Sequence, residues 1–190
     1  FHALRADLEA KGHTFRSTSD TEIILRLYTL KGPAFLHDLN GFFALAIHDA
    51  QDDTLFLARD RFGVKPLWWS AVDGRFLFAS ELRSLLALGA GHEQDPVSAR
   101  QYFAYYYIPA PHSVFKGAHK LLPGHSLYVD RNGVTEERWY DVVTASRQVP
   151  KAADPQKTLF ELMDDAVRLR LIADVPVGAF LSGGVDSSIV

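Results

Sequence analysis

From Gly41 onward the apolar residues leave helical spacing and fall into four short runs: GFFALAIHD, TLFLARD, PLWWSAV and RFLFAS. Runs this short, apolar or alternating at period two and closed by polar residues, are strands rather than helices. AQDD separates the first two, and Asp73-Gly74 separates the last two as a two-residue hairpin turn, where Gly accepts positive φ. The expectation is a four-strand meander followed by a helix over Glu81 to Leu88.

Before the runs the spacing is helical. Residues 1–11 place Phe1, Leu4 and Leu8 on one side of a helix that Gly12 stops. In STSDTEIILRLY, Ser19 and Glu22 have the spacing of a capping box, with Ile23, Ile24, Leu27 and Tyr28 as the apolar face behind them. A second short helix is expected from Pro33, whose missing N–H costs nothing at a helix start.

After the runs, residues 98–107 read as an aromatic-rich helix and YYYIPAPHSVFKGAHKLLPG as an extended connection. A further hairpin centres on Asn132 and Gly133. Beyond Tyr140, DVVTASRQVPKAADPQ loses periodicity and gains small, polar and Pro residues, the mark of a domain boundary. Two domains are therefore expected, over residues 1–145 and 146–190.

The second domain opens with Asp154 as N-cap and Pro155 at the first helical position. Leu159, Leu162, Met163, Ala166, Val167 and Leu171 follow as a core stripe. VPVGAFL reads as a buried strand running into SGGVDSS, with a helix from Ser187. Helix, strand, glycine loop and helix are the beginning of a doubly wound α/β domain, which binds ligands at the carboxyl ends of its strands.

That loop has the chemistry of a phosphate cradle. Gly183 and Gly184 let backbone N–H groups approach an anion, Ser182, Ser187 and Ser188 add hydroxyl donors, and a helix start follows. No lysine follows the glycines, so it is not a Walker A loop. Gly183 and Gly184 are adjacent with no third glycine, so it is not the dinucleotide fingerprint. Asp186 beside a phosphate site implies either a bridging Mg²⁺ or an N-capping role.

Composition narrows the function classes. With 190 residues, 47% hydrophobic, the chain can bury a core, and a net charge of −3 with scattered Lys and Arg argues against nucleic acid and anionic membranes. The absence of cysteine removes disulfides, thiolate metal sites and a cysteine nucleophile from these residues. The histidines lack zinc-site spacing. No run reaches transmembrane length and no secretory signal precedes Gly12, so a soluble, cytoplasmic protein is expected. A start at Phe1 and an end on Ile189-Val190 suggest a piece of a longer chain.

S-G-G-V-D-S behind an apolar run resembles the loop of the ATP pyrophosphatases. GFFALAIHD, LFLARDRFGVKPLWW and FLFASELRSLL are similar to the class II glutamine amidotransferase domain. With YYYIPAPHSVFKGAHKLLPGH and ADVPVGAFLSGGVDSS in the same order, the chain resembles glutamine-dependent asparagine synthetases. The resemblance implies an α+β N-terminal nucleophile hydrolase, an αββα sandwich, followed by the start of the doubly wound ATP-binding domain. It implies glutamine hydrolysis at one site. At the other, aspartate and ATP form β-aspartyl-AMP and pyrophosphate, and ammonia then displaces AMP to give asparagine. Glutamine, aspartate and ATP are the implied substrates, Mg²⁺ the implied metal and a homodimer the suggested assembly.

Residue by residue, the resemblance puts Leu181, Ser182, Gly183, Gly184, Val185, Asp186, Ser187 and Ser188 around ATP, with Asp186 as a Mg²⁺ contact. Asp20 in TSDTE matches the ligand of the glutamine α-ammonium, as a carboxylate suits, although Asp20 and Ser19 compete to cap the helix. Arg59 and Asp60 in RDRFG are expected to be structural. The family's N-terminal nucleophile cysteine, its glutamine-binding Arg and Asn-Gly segments and its second acidic loop are not in this sequence. These residues alone are therefore expected to be inactive. The alternatives are a β-lactam-synthetase-like ring closure without glutaminase activity, and a non-catalytic regulatory or scaffold protein that keeps the fold.

Overall fold

The structure is a computed structural model in which residues 1–189 are described. The chain divides into two compact units, Phe1–Val143 and Thr144–Val190.

In the first unit, α1 (His2–Ala10) and α2 (Asp20–Lys31) precede a 3-10 helix over Gly32–Asp38, where a short helix was expected from Pro33. The strands are β1 (Ala44–Asp49), β2 (Thr54–Arg59), β3 (Trp68–Val72) and β4 (Arg75–Ala79). Then come α3 (Leu82–Ala87), α4 (Pro96–Tyr105), β5 (His119–Lys120), β6 (His125–Asp130) and β7 (Gly133–Arg138). Asp73 and Gly74 both have positive φ, 50° and 69°, and join β3 to β4 as a tight hairpin.

The expected four-strand meander is two separate sheets. The orders are β1-β2-β6-β7 and β4-β3-β5, and every described pairing is antiparallel. The reason lies in β2, which is apolar on both faces. Phe56 and Ala58 pack with Leu8, Ile23, Leu27, Phe35 and Leu36 of the helical layer. Leu57 points the other way, into a cluster with Leu67, Leu121 and Leu127 that Trp69 and Phe76 of the second sheet close. A strand buried on both sides needs a layer over each face, so β3 and β4 stack on the first sheet instead of extending it. On its outer face the second sheet meets α3, where Leu85 is fully buried with Trp68, Leu77 and Ala79 against it. The result is helix, sheet, sheet, helix.

The turn between β2 and β3 carries the passage from one sheet to the other. Asp60 is 1% exposed, and its carboxylate accepts the backbone N–H groups of Phe62, Val64 and Lys65 at 3.1, 3.0 and 2.9 Å. Arg59 donates to the carbonyls of Lys65, Gly63 and Leu121. Gly63 has φ +64°, and a Cβ there would lie 2.8 Å from Pro123 Cγ and 2.9 Å from Arg59 Cζ, so no other residue fits without movement. Arg59 and Asp60 thus close the turn.

In the second unit, α6 (Pro155–Arg170) begins at Asp154, whose carboxylate accepts the Lys157 N–H at 3.0 Å. Its apolar stripe is not core among the described residues, since Leu159, Phe160 and Leu162 are all exposed. The stretch expected to be irregular contains α5 (Val142–Gln148), where Ala145, Arg147 and Gln148 favour helix. The strand expected over VPVGAFL is not formed, and Phe180 and Leu181 are exposed. A strand needs a neighbour to take its N–H and C=O groups, and the described residues of this unit supply none. The parallel sheet expected of residues 146–190 therefore has no counterpart among them.

Removing the buried Asp60 carboxylate takes the acceptor from three part-buried backbone N–H hydrogen bonds. Asp60→Ala should lower the unfolding free energy by about 3 kcal/mol or more, read from the denaturant midpoint at constant slope.

Candidate functional site

The start of α2 settles the competition between Ser19 and Asp20. Ser19 is the N-cap, in extended conformation, with its Oγ accepting the Thr21 N–H at 3.1 Å. Asp20 is the first helical residue, and among the described residues its carboxylate has only long hydrogen bonds, from Ser19 Oγ at 3.5 Å and Thr21 Oγ1 at 3.4 Å. Because a hydroxyl does the capping, the carboxylate is left for something else.

Glu22 does not close the expected capping box onto Ser19. It reaches further back, accepting the Arg16 N–H at 2.9 Å and both the N–H and Oγ–H of Ser17 at 2.8 and 2.7 Å. Those donors, the Arg16 N–H first, together with the nearby Arg5 charge, hold its carboxyl down at about 2.

Asp20 lines a cavity of about 760 Å³, within the range of about 300–1,000 Å³ of small-molecule sites. Every residue from Phe42 to His48 lines it, together with Asp20, Thr21, Ile24 and Leu25 of α2 and with Lys65, Pro66 and Ser80. Consecutive residues can all reach one cavity because β1 is an edge strand that presents its backbone sideways. A smaller cavity of about 200 Å³ shares Asp20, Ile24, Phe42 and Phe43. Asp20 stands where the two meet, a carboxylate between apolar walls and the edge of β1. This suits a ligand with a cationic end.

The glycine loop lies in the second unit. Gly183 has φ +75°, and α7 (Val185–Ile189) follows. Ser182 Oγ and Ser187 Oγ are 2.8 Å apart, while Ser187 and Ser188 donate to the Gly184 carbonyl at 3.1 and 2.8 Å. The hydroxyls therefore converge on one turn, and Asp186 is exposed in the first turn of α7. Among the described residues no group of three or more His, Cys, Asp or Glu side chains forms a metal site. A single carboxylate fits Mg²⁺ that takes most of its oxygens from phosphate and water.

The sequence alone did not point to Glu22 as a loop clamp, to the β1 edge as a wall or to Lys65 in the lining of the same cavity as Asp20. Ser17 and Ser19, both ahead of the Asp20-Thr21-Glu22 run, were the signal for the first. The others depend on β3 and β4 lying in a separate sheet.

Four layers with two antiparallel sheets inside are the αββα arrangement expected of an N-terminal nucleophile hydrolase fold, and the solved neighbours share that fold. The solved structure of glutamine phosphoribosylpyrophosphate (PRPP) amidotransferase from B. subtilis, complexed with ADP and GMP, superposes with TM-score 0.54. It is 22% identical, over 73% of this chain and 26% of that one. A structure described as the allosteric regulatory enzyme of purine biosynthesis superposes with TM-score 0.55, also at 22% identity and with the same coverage.

The chain belongs to the glutamine amidotransferase domain family, which matches residues 1–140, and residues 158–190 match asparagine synthase. Asparagine synthetase [glutamine-hydrolyzing] 1 of Bacillus subtilis is 35% identical over 98% of this chain, which spans 30% of that relative. Amidase chyE of Penicillium rubens is also 35% identical, over 100% of this chain and 28% of its own length. Among the described residues no helix is long and apolar enough to cross a membrane.

Glu22 ionises well below its ordinary 4.5, so its contribution to stability is complete above that pH and is lost as pH falls from 4.5 toward about 2. Denaturant midpoints compared between about pH 6 and about pH 3 should differ less for Glu22→Gln than for the unaltered protein. An identical pH dependence would show that Glu22 is not held in this way.

Proposed function

We propose that these residues belong to an ATP-dependent amidating enzyme that takes its nitrogen from glutamine, with aspartate as acceptor and asparagine as product. The observation that carries this reading is the Asp20 carboxylate, left uncommitted at the cavity because Ser19 caps the helix. A carboxylate there fits the α-ammonium of glutamine, and the free edge of β1 offers main-chain donors and acceptors to the rest of an amino acid. The names of the relatives and the asparagine synthase match of residues 158–190 support the second half.

Residues 1–145 would form the glutamine-hydrolysing domain and residues 146–190 the opening of the ATP-binding domain. Leu181 to Ser188 would line ATP, with the Leu181 backbone toward the adenosine and Ser182 to Ser188 toward the phosphates. Gly183 and Gly184 allow close approach, and the hydroxyls now turned onto the Gly184 carbonyl can donate outward to phosphate oxygens. Asp186 would contact Mg²⁺, which neutralises charge on the leaving pyrophosphate. In the reaction, the aspartate side-chain carboxylate attacks the α-phosphorus and pyrophosphate leaves. Ammonia then attacks the acyl carbon of β-aspartyl-AMP, AMP leaves and asparagine forms. The thiolate that releases the ammonia is not among these 190 residues, which contain no cysteine.

A second reading keeps the chemistry and changes the acceptor, because a relative named as an amidase matches the whole chain as closely as the synthetase does. Addition of aspartate separates the two. AMP and pyrophosphate release by the full-length polypeptide should depend on aspartate, and release that ignores aspartate would favour another acceptor.

Asp20→Asn should raise the glutamine KM by about 10- to 100-fold and leave turnover with ammonia as nitrogen source unchanged. Equal loss with both nitrogen sources would contradict the assignment. Asp186→Ala should weaken Mg·ATP use and spare glutamine hydrolysis, and loss of both together would mean misfolding.

A further inference from the structure

The reading of Asp20 leaves one question of design. Asp is as good an N-cap as Ser, and the two are adjacent, so α2 could start one residue later with the Asp20 carboxylate consumed by its own backbone. Something must fix the register.

Ser17 is held on every side that could do so. Glu22 Oε2 accepts its N–H at 2.8 Å and its hydroxyl at 2.7 Å, and Arg5 Nη1 donates to its carbonyl at 2.7 Å. Glu22 Oε1 accepts the Arg16 N–H at 2.9 Å, so both carboxylate oxygens are engaged by the same turn. The Ser17 hydroxyl in turn accepts the Ser19 N–H at 3.2 Å, and the Ser19 hydroxyl accepts the Thr21 N–H at 3.1 Å. Asp20 therefore sits between two anchored amides, at the end of a hydrogen-bond chain that begins at Glu22. A step of two residues on a helix turns a side chain by about 200°. Accordingly, Asp20 lines both neighbouring cavities, whereas Glu22 lines neither.

We propose that Glu22 is the positioning residue of this site: by clamping the Arg16–Ser17 turn it keeps the cap on Ser19 and so keeps the Asp20 carboxylate available to the α-ammonium of glutamine. This rests on the glutamine reading of the cavity. Glu22 itself touches no substrate. Its lowered pKa accords with a carboxylate that stays charged while it clamps the turn.

The test is steady-state glutamine hydrolysis by the full-length polypeptide, with glutamine and with 4-carbamoylbutanoate, the same molecule without its α-amino group. Glu22→Gln keeps size and one acceptor oxygen. It should raise the glutamine KM by about tenfold, change kcat by less than about twofold, and reduce the preference for glutamine over the deamino analogue by the same factor as KM. Ser17→Ala, which removes one donor and the relay to Ser19, should give an intermediate rise. KM and preference do not depend on the fraction of enzyme that folds, so a purely structural Glu22 would lower kcat and leave both unchanged, overturning the proposal. If Asp20→Asn raises KM and Glu22→Gln does not, the positioning role fails and the glutamine site stands. If neither variant moves KM, the glutamine reading fails, and the positioning role fails with it.

Discussion

Three consecutive side chains at the end of β2 connect the layers of the first unit. Arg59 donates to the Leu121 carbonyl at the approach to β6, and to Lys65 and Gly63 in the turn. Asp60 turns inward and gathers three N–H groups, while its own carbonyl accepts from Gly63 and from Gly124 at 2.9 Å. Arg61 turns toward the helical layer, donating to the Leu39 and His37 carbonyls, with its guanidinium over Trp139 and Tyr140 at 5.4 and 5.2 Å. A buried carboxylate is costly unless its oxygens are filled, and here backbone N–H groups fill them. The crossing from one sheet to the other is therefore fixed at a point where few apolar contacts are available to hold it.

The cavity follows from that crossing. Once β3 and β4 lie over the first sheet, the free edge of β1 opens into the space between α2 and the Lys65–Pro66 segment, whose backbone Arg59 and Asp60 hold. The clamp at the turn thus places one wall of the site, and the cap of α2 places the charge in it. Hydrogen bonds to backbone set the geometry in both cases, and the apolar core sets only the separation of the layers.

Much of this was legible in the sequence. The four strand runs, the Asp73-Gly74 hairpin, the helix behind Ser19 and the Asp154 cap all lie where local rules put them, because turn chemistry and capping act over two to four residues. The partition into two sheets was not legible. The unbroken apolar run Leu55 to Ala58 shows that both faces of β2 are apolar but not what covers each one. The second hairpin differs by a single step, with Asp130 facing Gly133 across Arg131 and Asn132. In the second unit the reading failed where it required a partner, since VPVGAFL has the composition of a strand but no described neighbour to pair with. The resemblance singled out Asp20, which the structure places in the cavity lining, whereas Glu22 was mistaken for half of a capping box because sequence spacing cannot show which way a carboxylate reaches.

A serine caps α2, and on the proposed function this leaves the neighbouring aspartate to bind the cationic end of an amino acid. A crystal structure of the full-length polypeptide with glutamine bound tests it most directly. The expected result is the α-ammonium within hydrogen-bond distance of the Asp20 carboxylate, with Ser19 Oγ still accepting the Thr21 N–H. Glutamine bound with its ammonium on other groups, or Asp20 turned back to cap its own helix, would contradict it.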